Sequence, residues 1–284
     1  MFPQLFDPAK LRKGIDKFVD GIVTEYGDSL GALSDHFERW LAWFEKLLRT
    51  APWWSVVLAV IVIAWLLTRR IGLSLLMGGL LCVIGLLGLW DAGMQTLALM
   101  LMATFLSVVI GIPVGILMGR LDWMRAVLHP VLDIMQTMPS FVYLIPVVML
   151  FGLGKTPALI ATIIYAVAPL IRLTDLGIRL VDKEVLEASR AYGANAWQQL
   201  FGVQIPLALP NIMAGINQTT MMALAMVVIA SMIGATGLGQ EVLLGINRLE
   251  VGRGLMAGVS IVVLAILFDR ITQAYGRRQR RGAH

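Results

Sequence analysis

Residues 94–119, MQTLALMLMATFLSVVIGIPVGILMG, form a continuous apolar run that contains no charged side chain. A helix needs roughly 20 mostly apolar residues to cross the hydrocarbon core of a bilayer, so this run predicts a membrane span. Charged residues make up only 14% of the 284-residue chain, whereas a soluble domain carries about 25%. The sequence therefore predicts an all-α, polytopic membrane protein rather than a soluble one.

Further apolar runs lie on both sides of this one, and several contain Pro or Gly, which membrane helices tolerate. Together they predict about seven transmembrane helices, at 52–68, 71–90, 94–119, 138–152, 157–172, 210–236 and 254–270. Residues 52–90 would form two peripheral helices, and residues 91–272 a core of five helices.

The basic residues are distributed unevenly between the segments that connect these runs. Of the sixteen Lys and Arg after residue 50, thirteen fall at 69–70, at 120–137, at 172–209 and in the stretch from Arg270 to the end. The positive-inside rule places these segments in the cytoplasm. The C-terminus, including the basic tail 273–284, is then cytoplasmic, and the N-terminus is extracytoplasmic. We interpret the tail as a topology determinant and expect no nucleic-acid partner.

The N-terminal residues 1–51 have a different pattern. They carry seven basic and eight acidic residues, and apolar positions recur every three or four residues from Leu11 to Leu48. This period predicts an amphipathic helix that lies in the membrane interface and contacts lipid, with candidate breaks at Gly21, Gly27 and Gly31. A scaffolding role and a simple surface anchor are both open. No secretory signal peptide is expected, because residues 1–10 lack an apolar core and a cleavage site.

The longest polar interruption, residues 172–209, has the pattern of short helices. Val181, Val185, Ala188 and Tyr192 recur at helical steps, Gly193 supplies a turn, and Pro206 and Pro210 are expected to end the pattern. A rigid element with an apolar ridge on the cytoplasmic face can transmit force to a soluble partner.

Within this loop the sequence resembles the permease subunits of ABC importers. Their cytoplasmic EAA loop reads Glu-Ala-Ala, three residues, Gly, nine residues, then Ile-x-Leu-Pro. Here Glu187-Ala188-Ser189 is followed at the same spacings by Gly193 and by Val203-Gln204-Ile205-Pro206. The departures are Ser189, Val203 and Ile205, which are small or isosteric changes. The resemblance implies that this loop forms a coupling helix that docks into a separate ATPase.

Three further stretches are similar to the glycine betaine/proline/choline branch of these permeases: PVLDIMQTMPSFVYLIP at 130–146, IYAVAPLIRLTDLGIRLV at 164–181 and IGATGLGQ at 233–240. The resemblance implies a bacterial inner-membrane importer of a quaternary amine such as choline, glycine betaine or proline betaine. It also implies two ATPase copies that bind ATP and Mg, a second permease copy, and an extracytoplasmic binding protein that delivers the substrate.

The chain itself shows no pattern for nucleotide, metal or catalytic chemistry. Gly154-Lys155-Thr156 is the nearest approach to a phosphate loop, but Met149 stands where that motif needs Gly. Cys82 is the single cysteine, and His36, His129 and His284 lie far apart, so no metal site is expected. We expect a non-catalytic subunit without its own cofactor; a membrane enzyme would need a nucleophile, base or metal constellation, and none is apparent.

Two polar clusters lie within apolar runs and are candidates for a translocation path. The first contains Asp133, Gln136, Ser140 and Tyr143, and the second contains Asn217 and Gln218. Hydrogen bonding between helices is the favoured alternative for both. An ion-coupled secondary transporter that uses Asp133 or Arg172 is the competing function, although the two halves of the chain show no convincing repeat.

Overall fold

The computed structural model describes residues 8–281, which are nearly all helical and contain no strand. The helices are α1 (Pro8–Thr50), α2 (Trp53–Thr68), α3 (Ile71–Leu86), α4 (Trp90–Arg120), α5 (Asp122–Thr137), α6 (Leu144–Phe151), α7 (Lys155–Arg179), α8 (Lys183–Ala191), α9 (Ala196–Gln199), α10 (Ile205–Ala230), α11 (Leu238–Asn247) and α12 (Val251–Arg281). Short 3-10 turns occupy Ser140–Tyr143 and Ser231–Ile233, and a π-helical turn occupies Leu200–Gln204. The predicted all-α class is confirmed.

The number of candidate spans is four to six, against the seven that the sequence predicts. Within residues 8–281, four helical stretches are long and apolar enough to cross a membrane: Trp90–Arg120, Lys155–Arg179, Ala196–Ile233 and Val251–Gln273. Two bent pairs, Ser34–Thr50 with Trp53–Thr68 and Asp122–Thr137 with Ser140–Phe151, raise the number to six. The count of seven is not confirmed, because α3 is a shorter apolar helix.

Small residues allow the central helices α4, α7 and α10 to pack closely. A Cβ added at Gly115 of α4 would lie 2.5 Å from Thr174 Cβ and 2.8 Å from the Ile171 carbonyl oxygen of α7. On the other side of α7, a Cβ at Gly177 would meet Ala208 at 3.1 Å. Close backbone approach of this kind is how membrane helices gain packing contacts without a hydrophobic driving force.

Charged and proline residues did not end the helices where the sequence predicted. The span predicted at 157–172 continues to Arg179, so the polar loop begins after that residue. The expected break at Pro206 and Pro210 was wrong, because a helical path runs from Ala196 to Ile233. Pro206 follows the π-helical turn at the start of α10, and Pro210 lies inside that helix.

The predicted span 138–152 is divided into a turn and the eight-residue helix α6. The axis bends by 113° between α5 and the stretch Ser140–Phe151. Pro139 lies at this bend. A proline disfavours the helical conformation at the preceding residue, and Met138 is extended here. Helix α11 was not predicted, since it lies in a stretch that we expected to be an outward connection.

The N-terminal helix α1 is continuous through Gly21, Gly27 and Gly31, so the candidate breaks did not form. Its last part, Ser34–Thr50, bends by 104° into α2, as expected for a surface helix that turns into a span. In this part Leu41 and Glu45 are buried, and the helix contacts α4, α6 and α7. The side chains of Leu11, Ile15, Phe18, Ile22, Leu30 and Leu33, like His284, lie outside the described part.

Candidate functional site: the coupling segment and the polar clusters

Residues 182–206, which we call the coupling segment, begin with a capped helix. The Asp182 side chain accepts a hydrogen bond of 2.9 Å from the Glu184 backbone N–H, which satisfies one of the free donors at the start of α8. Glu187 and Ala188 lie on this helix and are both exposed. No hydrogen bond or ion pair of Glu187 is found among residues 8–281, so its carboxylate faces the solvent side of the segment.

The turn between α8 and α9 is built around Gly193. Its φ of +85° is in the left-handed region, which a residue with a Cβ rarely adopts. The Gly193 N–H donates to the Arg190 carbonyl at 2.8 Å, and the Ala194 N–H donates to Ser189 at 3.1 Å. Asn195 and Gln198 then form a reciprocal capping box at the start of α9. The sequence prediction of a turn at Gly193 is confirmed.

Ser189 connects the two helices of the segment. The Gln199 amide Nε2 donates to Ser189 Oγ at 2.9 Å and to the Leu186 carbonyl at 2.8 Å. The Ser189 hydroxyl itself donates to the same Leu186 carbonyl at 2.8 Å. Since Gln199 is buried, these bonds hold α8 and α9 in one arrangement. The EAA pattern has Ala at this position, and Ser189 thus makes a hydrogen bond that an Ala side chain could not make.

The outer face of the segment presents aromatic side chains. Tyr192 is 94% exposed, Trp197 68% and Phe201 62%. The rings of Trp197 and Phe201 stack, with centroids 5.9 Å apart and planes at 12°. Large aromatic residues exposed together mark a binding surface more often than a solvated one. We call Tyr192, Trp197 and Phe201 the aromatic face.

The inner side of the segment is fixed to the spans. Leu200 packs in a buried cluster with Ile178 of α7 and with Ala208 and Ile212 of α10. Arg120, at the end of α4, donates from Nη2 to the Ala196 carbonyl at 3.3 Å. The coupling segment therefore contacts three spans, α4, α7 and α10.

The second half of the motif lies at the base of the span rather than on the aromatic face. Val203 falls in the π-helical turn, and both it and Ile205 are partly buried. Pro206 follows on an exposed side of the first turn of α10.

Ion pairs join α5 to the C-terminal half of α7. Asp122 pairs with Arg179 at 2.8 Å, Arg125 pairs with Asp175 at 3.5 Å, and Asp133 pairs with Arg172. His129 also contacts Asp133, at 3.2 Å. These ion pairs hold α5 against α7.

The first polar cluster is only partly free to line a path. Asp133 is engaged by Arg172 and His129. Tyr143 is buried, and its hydroxyl donates to the Met135 carbonyl. Gln136 is exposed and Ser140 is partly buried, and no side-chain hydrogen bond of either is found in the described part of the chain.

The second polar cluster connects α10 to α12. The Asn217 amide donates to Asp269 at 3.3 Å, and its oxygen accepts from the Thr272 hydroxyl. Gln218, one residue further on, is exposed. Asp133, Tyr143 and Asn217 therefore bond to other elements or turns, as the alternative interpretation expected, whereas Gln136 and Gln218 are exposed.

An ion-pair group at the opposite end of α7 was missed by sequence reasoning. Lys155 Nζ donates to Glu45 Oε2 at 2.6 Å, and Glu45 is 7% exposed. Arg49 approaches Glu45 at 3.5 Å and Asp91 at 3.3 Å. The partners lie 110 positions apart in the chain, so no local spacing could reveal the contact. Lys155 thus anchors α1, and no group of three potential metal ligands is found within residues 8–281.

Comparison with known proteins gives a family from the sequence and a common fold from a solved structure. The sequence model of the "Binding-protein-dependent transport system inner membrane component" family matches residues 107–281. The glycine betaine/proline betaine transport system permease protein ProW of Escherichia coli is 47% identical over 92% of this chain and 74% of its own. The glycine betaine transport system permease protein OpuAB of Bacillus subtilis is 44% identical over 91% and 92%.

A third relative, the glycine betaine/carnitine transport permease protein GbuB of Listeria monocytogenes, is 41% identical over 94% of this chain and 96% of its own. Among solved structures, a chain of the MetNI methionine ABC transporter superposes with a TM-score of 0.58. It shares 23% sequence identity and covers 69% of this chain and 96% of its own, which establishes a common fold.

Proposed function

Because the chain belongs to the family of binding-protein-dependent transport system inner membrane components, we propose that it is the membrane subunit of an ATP-driven importer of a quaternary amine. Glycine betaine and proline betaine are the first candidates, since the names of its relatives share a betaine. Its spans form the translocation path, and it carries no catalytic group of its own.

The aromatic face of the coupling segment is the observation that supports this function best. It presents Tyr192, Trp197 and Phe201 outward, while Leu200 and Arg120 fix the inner side to the spans. An ATPase subunit that takes up this face would transmit its closure to α4, α7 and α10. Glu187 and Ala188, which are both exposed, border the same docking surface, and Gly193 sets its shape.

The partners follow from this arrangement. Two ATPase copies bind ATP and Mg, two permease copies enclose the path, and an extracytoplasmic binding protein selects the substrate. The permease then alternates between two states whose populations ATP controls. Gln136 and Gln218 are the side chains that we assign to the path, because their amides are exposed and can solvate a small zwitterion without holding it tightly.

Uptake by the reconstituted complex tests the proposal. Proteoliposomes that contain the permease, its ATPase and its binding protein should accumulate radiolabelled glycine betaine only when ATP is present on the side of the membrane that carries the ATPase. Trp197→Ala with Phe201→Ala should reduce both uptake and ATPase retention about tenfold or more, as loss of a central aromatic contact does. Trp43→Ala, an equally exposed aromatic on α1, is the matched control and should leave ATPase retention unchanged.

The competing function predicts the opposite dependence. An ion-coupled secondary transporter would take up substrate through this chain alone, driven by an ion gradient without ATP. The pairing of Asp133 with Arg172 and His129 leaves no free carboxylate there to bind a coupling ion. Gradient-driven uptake by the isolated chain, abolished by Asp133→Asn, would refute the ATP-driven assignment.

A further inference from the structure

An apolar cavity of about 450 Å³ lies at the elbow between α1 and α2. Its walls come from α1, α2, α3, α4 and α12. Val56, Leu97 and Leu267 lie on its floor and are buried, whereas Leu47 and Ile63 at its mouth are about half exposed. The cavity therefore opens sideways from the protein interior to the surface of the spans.

The lining excludes a polar occupant. Ser55 is the one lining residue with a polar side chain, and its hydroxyl already donates to the Pro52 carbonyl at 2.7 Å. A water molecule needs two to four polar partners to stay in a cavity, and a zwitterion buried without partners is strongly disfavoured. Neither water nor a betaine can be held here.

The hydrocarbon around the spans supplies one apolar ligand in excess, the lipid acyl chain. The wall helices α4 and α12 contain spans of high hydropathy, and the half-exposed mouth faces the hydrocarbon around them. A void lined only by apolar groups loses the dispersion contacts that close packing supplies. We propose that one acyl chain of a membrane phospholipid enters through this mouth and fills the cavity as a bound structural lipid.

The position of the cavity indicates the role of this lipid. The sequence model of the family begins at residue 107, so α1 to α3 lie outside it. The cavity is enclosed by α1 and α2 on one side and by α4 and α12 on the other. An acyl chain there joins the N-terminal helices to the core, alongside the Glu45–Lys155 ion pair.

Cross-linking in membranes tests the occupant directly. Vesicles that contain the assembled transporter are prepared with a phosphatidylglycerol that carries a diazirine in one acyl chain, and labelled residues are mapped by mass spectrometry. Label on the buried floor residues Val56, Leu97 and Leu267 requires a chain inside the cavity, whereas surrounding lipid labels exposed residues such as Leu75.

Cavity-filling substitutions supply the control. Ala59→Phe, on the cavity wall, should reduce floor labelling at least tenfold while Leu75 labelling stays constant. Leu58→Phe, its exposed neighbour outside the lining, should keep the wild-type pattern. Val60→Phe narrows the same cavity and serves as a second filling variant in case Ala59→Phe does not fold. Floor residues that stay unlabelled in the wild type, or label that survives both filling variants, would overturn the proposal; the first result would mean that protein fills the space.

Discussion

Gly193 shows how a single residue sets the shape of the docking surface. Its Cβ position is open space, but its φ of +85° is strained for any other residue, at about 1–2 kcal/mol. Gly193→Ala should therefore weaken ATPase binding about 5- to 30-fold, measured by titration of purified ATPase onto the permease. Gly202→Ala adds a methyl group in equally open space without a positive φ, and equal losses in both variants would contradict the strain argument.

The contact between Ser189 and Gln199 predicts an order of effects within the same segment. In Ser189→Ala, the Gln199 amide keeps its bond to the Leu186 carbonyl, so the cost should be about 0.5–1 kcal/mol. Gln199→Ala removes both bonds and opens a buried site, so its cost should be larger. Thermal unfolding of the two variants and of the double variant measures this, and a double variant as costly as the sum of the single ones would exclude the coupling.

At the scale of one helix, the attachment of α1 depends on a buried carboxylate. Glu45 is 7% exposed and receives Lys155 at 2.6 Å. Lys155→Met would leave that carboxylate with Arg49 alone, at 3.5 Å, and should cost about 1–3 kcal/mol, as loss of a charged hydrogen bond does. Adding Glu45→Gln should restore part of the loss, because the unpaired buried charge is then gone.

The matched control for Lys155→Met is a variant of Lys46, which lies next to Glu45 on α1. Lys46 is exposed, and no ion pair of it is found in the part of the chain that the structure describes. Lys46→Met should leave the melting temperature of the complex unchanged, whereas Lys155→Met should lower it by several degrees. If both lysine variants lower it equally, net charge rather than the Glu45 contact stabilises α1.

The helices also show which features of the fold a sequence can reveal. Apolar runs located α4, α7 and α12, and the spacing from Glu187 to Gly193 located the turn, because these signals are local. The bend after α5 was not predicted, because an apolar run in the sequence does not show where the helix axis changes direction. The contacts of Lys155 with Glu45 and of Arg172 with Asp133 depend on tertiary packing, which no local pattern encodes.

At the scale of the whole molecule, the length of helix α7 relates the two membrane surfaces. Its first residue, Lys155, binds Glu45 of α1, and its last residue, Arg179, lies just before the coupling segment. A helix of that length spans roughly 36 Å, about the thickness of a bilayer. We therefore expect the C-terminal half of α1 and the coupling segment to lie on opposite sides of the membrane.

Chemical labelling from outside the cell tests this topology. Cys82 is the single cysteine, so a Cys82→Ser background permits one new thiol at a time. Glu38→Cys on α1 should react with a membrane-impermeant maleimide in spheroplasts. Lys183→Cys at the start of α8 should react only after permeabilisation, because the basic segments are retained inside. Both parent side chains are exposed, so accessibility differs only by side; labelling of both thiols from outside would refute the orientation, and with it a cytoplasmic site for the ATPase.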